Sequence, residues 1–141
     1  MTAPAGSPDC PRCGRRGELF ARCPDCGADL RPLLQVMALA DEHFNAAVVQ
    51  ARARQWQNAA EHLAVARALS PMDVDVVVLL AKVRHRQGRR RAAEARALWQ
   101  RALELDPDRA DARAALESTD LAPKQRRRAP ARRARRTGRG R

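Results

Sequence analysis

Two short segments constrain this chain more than anything else in it. Cys10-Pro-Arg-Cys13-Gly14 and Cys23-Pro-Asp-Cys26-Gly27 are near-copies, with nine residues between Cys13 and Cys23. Two thiolates at this spacing can grip one tetrahedral ion from a tight turn. The Pro fixes the turn's geometry, and the Gly after the second Cys takes backbone conformations that are costly for other residues. Two such turns supply four soft ligands and leave no coordination position open, which suits a structural zinc site and not a catalytic one. Cys10, Cys13, Cys23 and Cys26 are thus candidate ligands of one Zn2+ ion, with iron the lesser option. Disulfides would need an oxidising compartment, and the opening MTAPAGSPDC lacks the charged and apolar regions of a secretory signal. Redox pairs would call for a thioredoxin-like βαβ pattern that does not surround these cysteines. Between the knuckles, Glu18–Arg22 is expected to form a short strand, with Phe20 available to a minimal core.

The first 30 residues resemble the short zinc-ribbon family of prokaryotic proteins. The matching residues are the CPxCG knuckle Cys10–Gly14, the aromatic Phe20, the second knuckle Cys23–Gly27 and the following Leu30. The resemblance implies zinc held by the four cysteines. It leaves open whether such a ribbon contacts nucleic acid, contacts protein or caps its neighbour. Arg12, Arg15, Arg16 and Arg22 are offset by four acids in the same segment.

Beyond residue 30 the apolar residues decide the fold class. Of the chain's 63 apolar residues 29 are Ala, while Leu, Val and Phe together number 25 and Ile and Tyr are absent, which favours close-packed helices over a thick aromatic core. Leu33, Val36, Met37, Ala40, Phe44, Ala47, Val48 and Ala51 recur at intervals of three and four, the spacing of one helix face, in a helix opened by Pro32. A second helix is expected from about Trp56 to Leu69, stopped by Pro71. A third starts near Asp73 and Asp75 and ends at Gly88, after Arg84, His85 and Arg86 place basic groups in its last turn. These flanking signals make its Val76–Leu80 run helical despite its β-branched residues. A fourth covers about Arg90 to Leu105, and Asp106-Pro107-Asp108 is expected to start a fifth, reaching about Ser118. The chain is expected to be mainly α, with units at 1–30, 31–121 and 122–141. No segment approaches the run of ~20 apolar residues that a membrane span needs, and the expected location is cytoplasmic.

The second helix of each pair carries an echo. Ala59, Leu63, Ala66, Leu69 and Pro71 correspond to Ala95, Trp99, Ala102, Leu105 and Pro107, each 36 residues on. Small residues let helices approach closely, the larger residue fills the space beside them, and the Pro ends the hairpin. This pattern resembles the tetratricopeptide repeat, a helix-turn-helix unit of 34 residues, over residues 40–109. The two extra residues are expected in the Arg89-Arg90-Arg91 turn. The resemblance implies an antiparallel helical array whose first helices line a groove for an extended peptide or a partner's helix. Phe44, Val48, Arg52, Val78, Lys82 and Arg86 are the candidates for that surface, and an acidic, amphipathic protein partner would complement them. His43, His62 and His85 have no ligand spacing and read as surface or packing residues.

The net charge of +12 is a property of one end. Lys124, Arg126, Arg127, Arg128, Arg132, Arg133, Arg135, Arg136, Arg139 and Arg141 are its last 10 basic residues, unaccompanied by any acid, and the preceding residues carry 18 basic against 16 acidic groups. A segment without large apolar side chains does not offset the entropy of ordering, so 122–141 is expected to be disordered alone. Such a tail binds polyanions by counterion release with little sequence preference. No nucleophile elbow, phosphate-cradling loop or paired carboxylates stand out. The expected function is a non-enzymatic adaptor with a structural zinc site. The alternative is a zinc-ribbon factor that contacts RNA or DNA through its basic tail.

Overall fold

The computed structural model describes residues 9–121. Five helices follow the cysteine-rich segment: α1 (Arg31–Arg52), α2 (Trp56–Leu69), α3 (Val74–Arg86), α4 (Ala92–Leu105) and α5 (Ala110–Leu121), with a 3-10 turn at Arg89–Arg91 before α4. Each helix packs on its neighbours in the chain, because the connections are too short to carry the chain elsewhere. The fold is a mainly helical array of successive hairpins.

The helix starts and stops have local causes. Pro32 sits in the first turn of α1, where its missing N–H costs nothing. Asp73 caps α3, its carboxylate accepting the backbone N–H groups of Asp75 at 2.9 Å and Val76 at 3.3 Å. Gly88, at φ 94°, ends that hairpin helix in a conformation open to glycine. The valine run is helical and lies in the core, with Val76, Val77, Val78, Leu80, Ala81 and Val83 all buried.

The echo in the sequence is an echo in structure. Ala59, Leu63 and Ala66 are buried in α2, and so are Ala95, Trp99 and Ala102 in α4. The turns that follow repeat bond for bond. Ser70 N–H donates to the Ala66 carbonyl and Asp106 N–H to that of Ala102, both at 2.8 Å, and Asp73 and Arg109 donate to Ser70 and Asp106, both at 3.2 Å. Consequently α4 begins 36 residues after α2, and α5 begins 36 residues after α3. The α1 and α3 ends, Arg52 and Arg86, are only 34 apart, so the two extra residues fall in the connection that holds the 3-10 turn.

Three expectations need correction. The fifth helix does not start at Asp106-Pro107-Asp108, since those residues form a turn in which Asp106 accepts the Asp108 N–H at 3.1 Å, and α5 opens at Ala110. Glu18–Arg22 forms no strand. A single antiparallel bridge joins Arg22 to Asp29, and Leu30 N–H donates to the Ala21 carbonyl at 2.9 Å. Phe20 is half exposed and outside the small core, where Leu19 packs instead.

Candidate metal centre

The two knuckles are built by the same hydrogen bonds. Gly14 N–H donates to the Cys10 carbonyl and Gly27 N–H to that of Cys23, both at 2.8 Å, closing each turn over its cysteine pair. Cys10 N–H then reaches the Arg15 carbonyl, and Cys23 N–H the Ala28 carbonyl, both at 2.9 Å. Gly14 and Gly27 have φ of 72° and 70°, the left-handed conformation that a Cβ makes costly. The Arg15–Asp25 ion pair ties one turn to the other, and the Arg22–Asp29 bridge closes the base of the second.

The result is a cluster of sulfurs. All four Sγ atoms lie within 4.8 Å of one another, with Cys10 to Cys26 at 3.8 Å and Cys13 to Cys23 at 3.7 Å. These separations are far beyond the ~2.05 Å of a disulfide. A tetrahedral ion with metal–sulfur bonds of ~2.3 Å needs sulfurs ~3.8 Å apart, and the observed pairs meet that requirement. Among the described residues this is the only group of three or more side chains placed to hold a metal ion.

Electrostatics argue the same way. The backbone N–H groups of Cys13 and then Arg12 bring the Cys10 thiol down from 9.0 to about 7. Cys13 is pushed up to about 12. The N–H of Arg15 lowers it, but desolvation and the sulfurs of Cys26, Cys10 and Cys23 together outweigh that effect. Four thiolates this close cannot all ionise against one another, whereas a divalent cation at their centre makes full ionisation favourable. Four thiolates would complete the coordination of a tetrahedral ion, which is the donor set of a structural metal site.

The groove candidates are divided by the structure. Phe44 and Val48 on α1 are partly buried, and Phe44 packs against the helical core. Arg52, Lys82 and Arg86 are exposed. Val78 is buried at 3% exposure and does not line a surface; the helical turn that brings Lys82 outward carries Val78 into the core. Lys82, His85 and Arg86 line a recess of 300 Å3 with Trp99, Ala115 and Ser118, between α3, α4 and α5. The ten basic residues Lys124, Arg126, Arg127, Arg128, Arg132, Arg133, Arg135, Arg136, Arg139 and Arg141 lie outside the described residues.

Two features were hidden from sequence reasoning. His43 and His62, on α1 and α2, meet through their Nδ1 atoms at 3.0 Å, with ring centroids 5.3 Å apart. Their contact spans a hairpin, and only the pairing of α1 with α2 reveals it. The second is an arginine-lined recess at the α1–α2 turn, bounded by Ala51, Arg52, Arg54, Trp56 and Arg86. Among the described residues no helix is long and apolar enough to cross a membrane. Comparison with known proteins found no matching family model, and no curated protein or solved structure matches the chain significantly.

Proposed function

We propose that this protein is a non-enzymatic adaptor, in which a zinc-bound, ribbon-like N-terminal unit precedes a tetratricopeptide-like helical domain that binds an acidic segment of another protein in the cytoplasm. The carrying observation is the 300 Å3 recess between α3, α4 and α5, with Lys82, His85 and Arg86 at its edge and Trp99, Ala115 and Ser118 completing it. A concave surface with cationic rims and an apolar floor suits an amphipathic, acidic chain. Zinc is favoured for the cysteine site by its all-thiolate, closed tetrahedral donor set. The matched burial and matched turns at a 36-residue interval support the repeat reading of the helices.

The test is purification of partners on the full chain and on a Lys82→Glu variant, each with and without nuclease. The adaptor reading expects a protein partner that survives nuclease and is lost with Lys82→Glu. Partners that vanish with nuclease and ignore Lys82→Glu would instead support an RNA- or DNA-associated factor acting through the basic segment after Pro123.

A further inference from the structure

Among the described residues, the arginines that gather beside the α1–α2 turn have no ion pair. Arg52, Arg54 and Arg86 line a recess of 420 Å3 together with Ala51 and Trp56, and none of their three side chains has an ion-pair or hydrogen-bond partner among the described residues. Several other arginines find acids, Arg15 pairing with Asp25, Arg31 with Asp29, Arg84 with Glu94 and Arg109 with Asp75, while Arg22, Arg67, Arg89 and Arg90 have no ion pair among the described residues. What sets Arg52, Arg54 and Arg86 apart is that they converge on one concavity whose lining includes no acid.

Helix-end electrostatics explain only part of it. Arg52 and Arg86 sit in the last turns of α1 and α3, where cations are favourable. Arg54 lies beyond α1 and is the one described non-glycine residue at positive φ, 59°. The position 34 residues on, matching the spacing of the α1 and α3 ends, is Gly88, at φ 94°. Both positions have positive φ, and where the second hairpin has a glycine, the first holds an arginine against a backbone preference.

We propose that this recess binds the phosphate of a phosphorylated serine or threonine in the adaptor's protein partner. A carboxylate is satisfied by one guanidinium fork, whereas a phosphate monoester dianion offers three oxygens and takes charge-assisted bonds from several arginines at once. The recess shares Arg86 with the neighbouring 300 Å3 groove, so a peptide anchored by its phosphate continues along α3 past His85 and Lys82. Lys82 gives one of its three N–H donors to Asp111, at 2.9 Å, and keeps two for an acidic flank. Lys82 and Arg86 are one helical turn apart, about 6 Å, which is about two residues of extended chain. The expected motif has an acid two positions from the phosphorylated residue. A nucleic acid fits less well, because residues 31–121 carry 14 basic against 12 acidic groups and form no general cationic face, and Trp56 is the recess's lone aromatic.

The inference rests on the adaptor reading, and its test separates the two. The Trp56 indole N–H and arginine Nε–H signals of the zinc-loaded full chain are followed by NMR at constant ionic strength. The titrants are inorganic phosphate, a capped five-residue peptide with phosphoserine two positions before glutamate, its unphosphorylated counterpart, and a dinucleotide with one phosphodiester. Phosphate should shift the signals of Trp56 and the three arginines, and the phosphopeptide should bind at least about tenfold more tightly than its counterpart. Arg54→Gln should remove about tenfold or more of that affinity, leaving the melting temperature unchanged, while Arg67→Gln on the exposed side of α2 should have no effect. Equal binding of the two peptides, equal loss from Arg54→Gln and Arg67→Gln, or a dinucleotide as effective as the phosphopeptide would each overturn the proposal. A nuclease-resistant partner still captured by Arg54→Gln would leave the adaptor reading standing without it.

Discussion

Cys13 and Cys23 differ in burial but not in their place in the sulfur cluster, and that contrast tests the metal centre. Cys23 is buried at 2% exposure, whereas Cys13 is exposed. If the cysteines were merely a small apolar core, Cys23→Ser would be severe and Cys13→Ser nearly silent. If all four bind one ion, each supplies one of four metal–sulfur bonds and the two substitutions should cost alike. Structural zinc sites bind with ~10–16 kcal/mol, so losing one thiolate of four removes about 2.5–4 kcal/mol, roughly 60- to 700-fold in affinity. Competition against a chromogenic chelator reads this directly, with thiol titration showing how many sulfurs the metal protects. The apolar core of the unit is Leu30 beside Cys10 and Cys23, with Leu19, Cys26 and Ala28 partly buried, too little to hold the fold without the ion. Both variants should therefore lose the dispersed amide signals of residues 9–30 while the far-ultraviolet helical signal persists. Retention of metal and fold by Cys13→Ser alongside their loss in Cys23→Ser would refute the ligand assignment.

Three further outcomes follow from packing, backbone and charge. Ala102 is fully buried and Ala110 exposed, so Ala102→Leu should overpack the α4 seam by ~1–3 kcal/mol while Ala110→Leu leaves a thermal melt almost unmoved; equal tolerance would remove the close-packed seam. Gly88→Ala places a Cβ at φ 94° and ψ −170°, a region essentially confined to glycine, with nothing within 4 Å, so its loss of ~1–3 kcal/mol in a denaturant titration is conformational, and Gly88→Asn, which eases only the left-handed helical region, should recover little of it. Asp111 is held below the usual carboxylate range by its hydrogen bond from Lys82 and, less strongly, by Arg109, which also pairs with Asp75 on α3. A depressed pKa gives stability that is present above the unfolded value near 4 and is lost as pH falls through the folded one, so α5 should detach preferentially below about pH 4. These groups are partly exposed, and the effect should stay under ~1 kcal/mol and shrink in salt.

What the sequence disclosed, it disclosed where the chemistry is local. A CxxC turn, an Asp at an N-cap and a helix-ending Gly act through neighbours a few residues away, and the cysteine cluster, the Asp73 cap and the Gly88 stop are all present. The start of α5 misleads because Asp106-Pro107 is also a good turn. The better signal was the 36-residue echo, since Val74 opens α3 and Ala110 stands 36 residues beyond it. Val78 misleads in the opposite way: a residue at helical spacing from Lys82 and Arg86 shares their stripe, yet the stripe rolls from core to solvent along a short helix. The His43–His62 contact and the Arg52–Arg54–Arg86 recess join residues 19 and up to 34 positions apart, and pairwise helix packing is what assembles them.

The division between the two buried clusters implies how damage spreads. The cluster around Cys10, Cys23 and Leu30 shares no residue with the helical core, whose buried members start at Ala47. Between them stands the first part of α1, where no residue from Arg31 to Leu39 is buried, and Val36 and Leu39 are 42% and 43% exposed. A helix segment with so little tertiary support depends on what holds its start. That start is tied to the knuckles: Leu34 N–H donates to the Leu30 carbonyl at 3.0 Å, and Asp29, its pKa brought to about 2 first by the hydrogen bond from Arg31, grips the opening residue of the helix. Metal removal should therefore fray α1 from Arg31 to about Leu39 and stop near Ala40, which is buried. Hydrogen exchange on the chelated protein should show protection lost from 31–39, retained from Ala47 onward and unchanged in α2 to α4. Uniform loss along α1 and α2 would mean that the two clusters fold as one unit, and unchanged protection at 31–39 would mean that α1 needs no anchor from the metal centre.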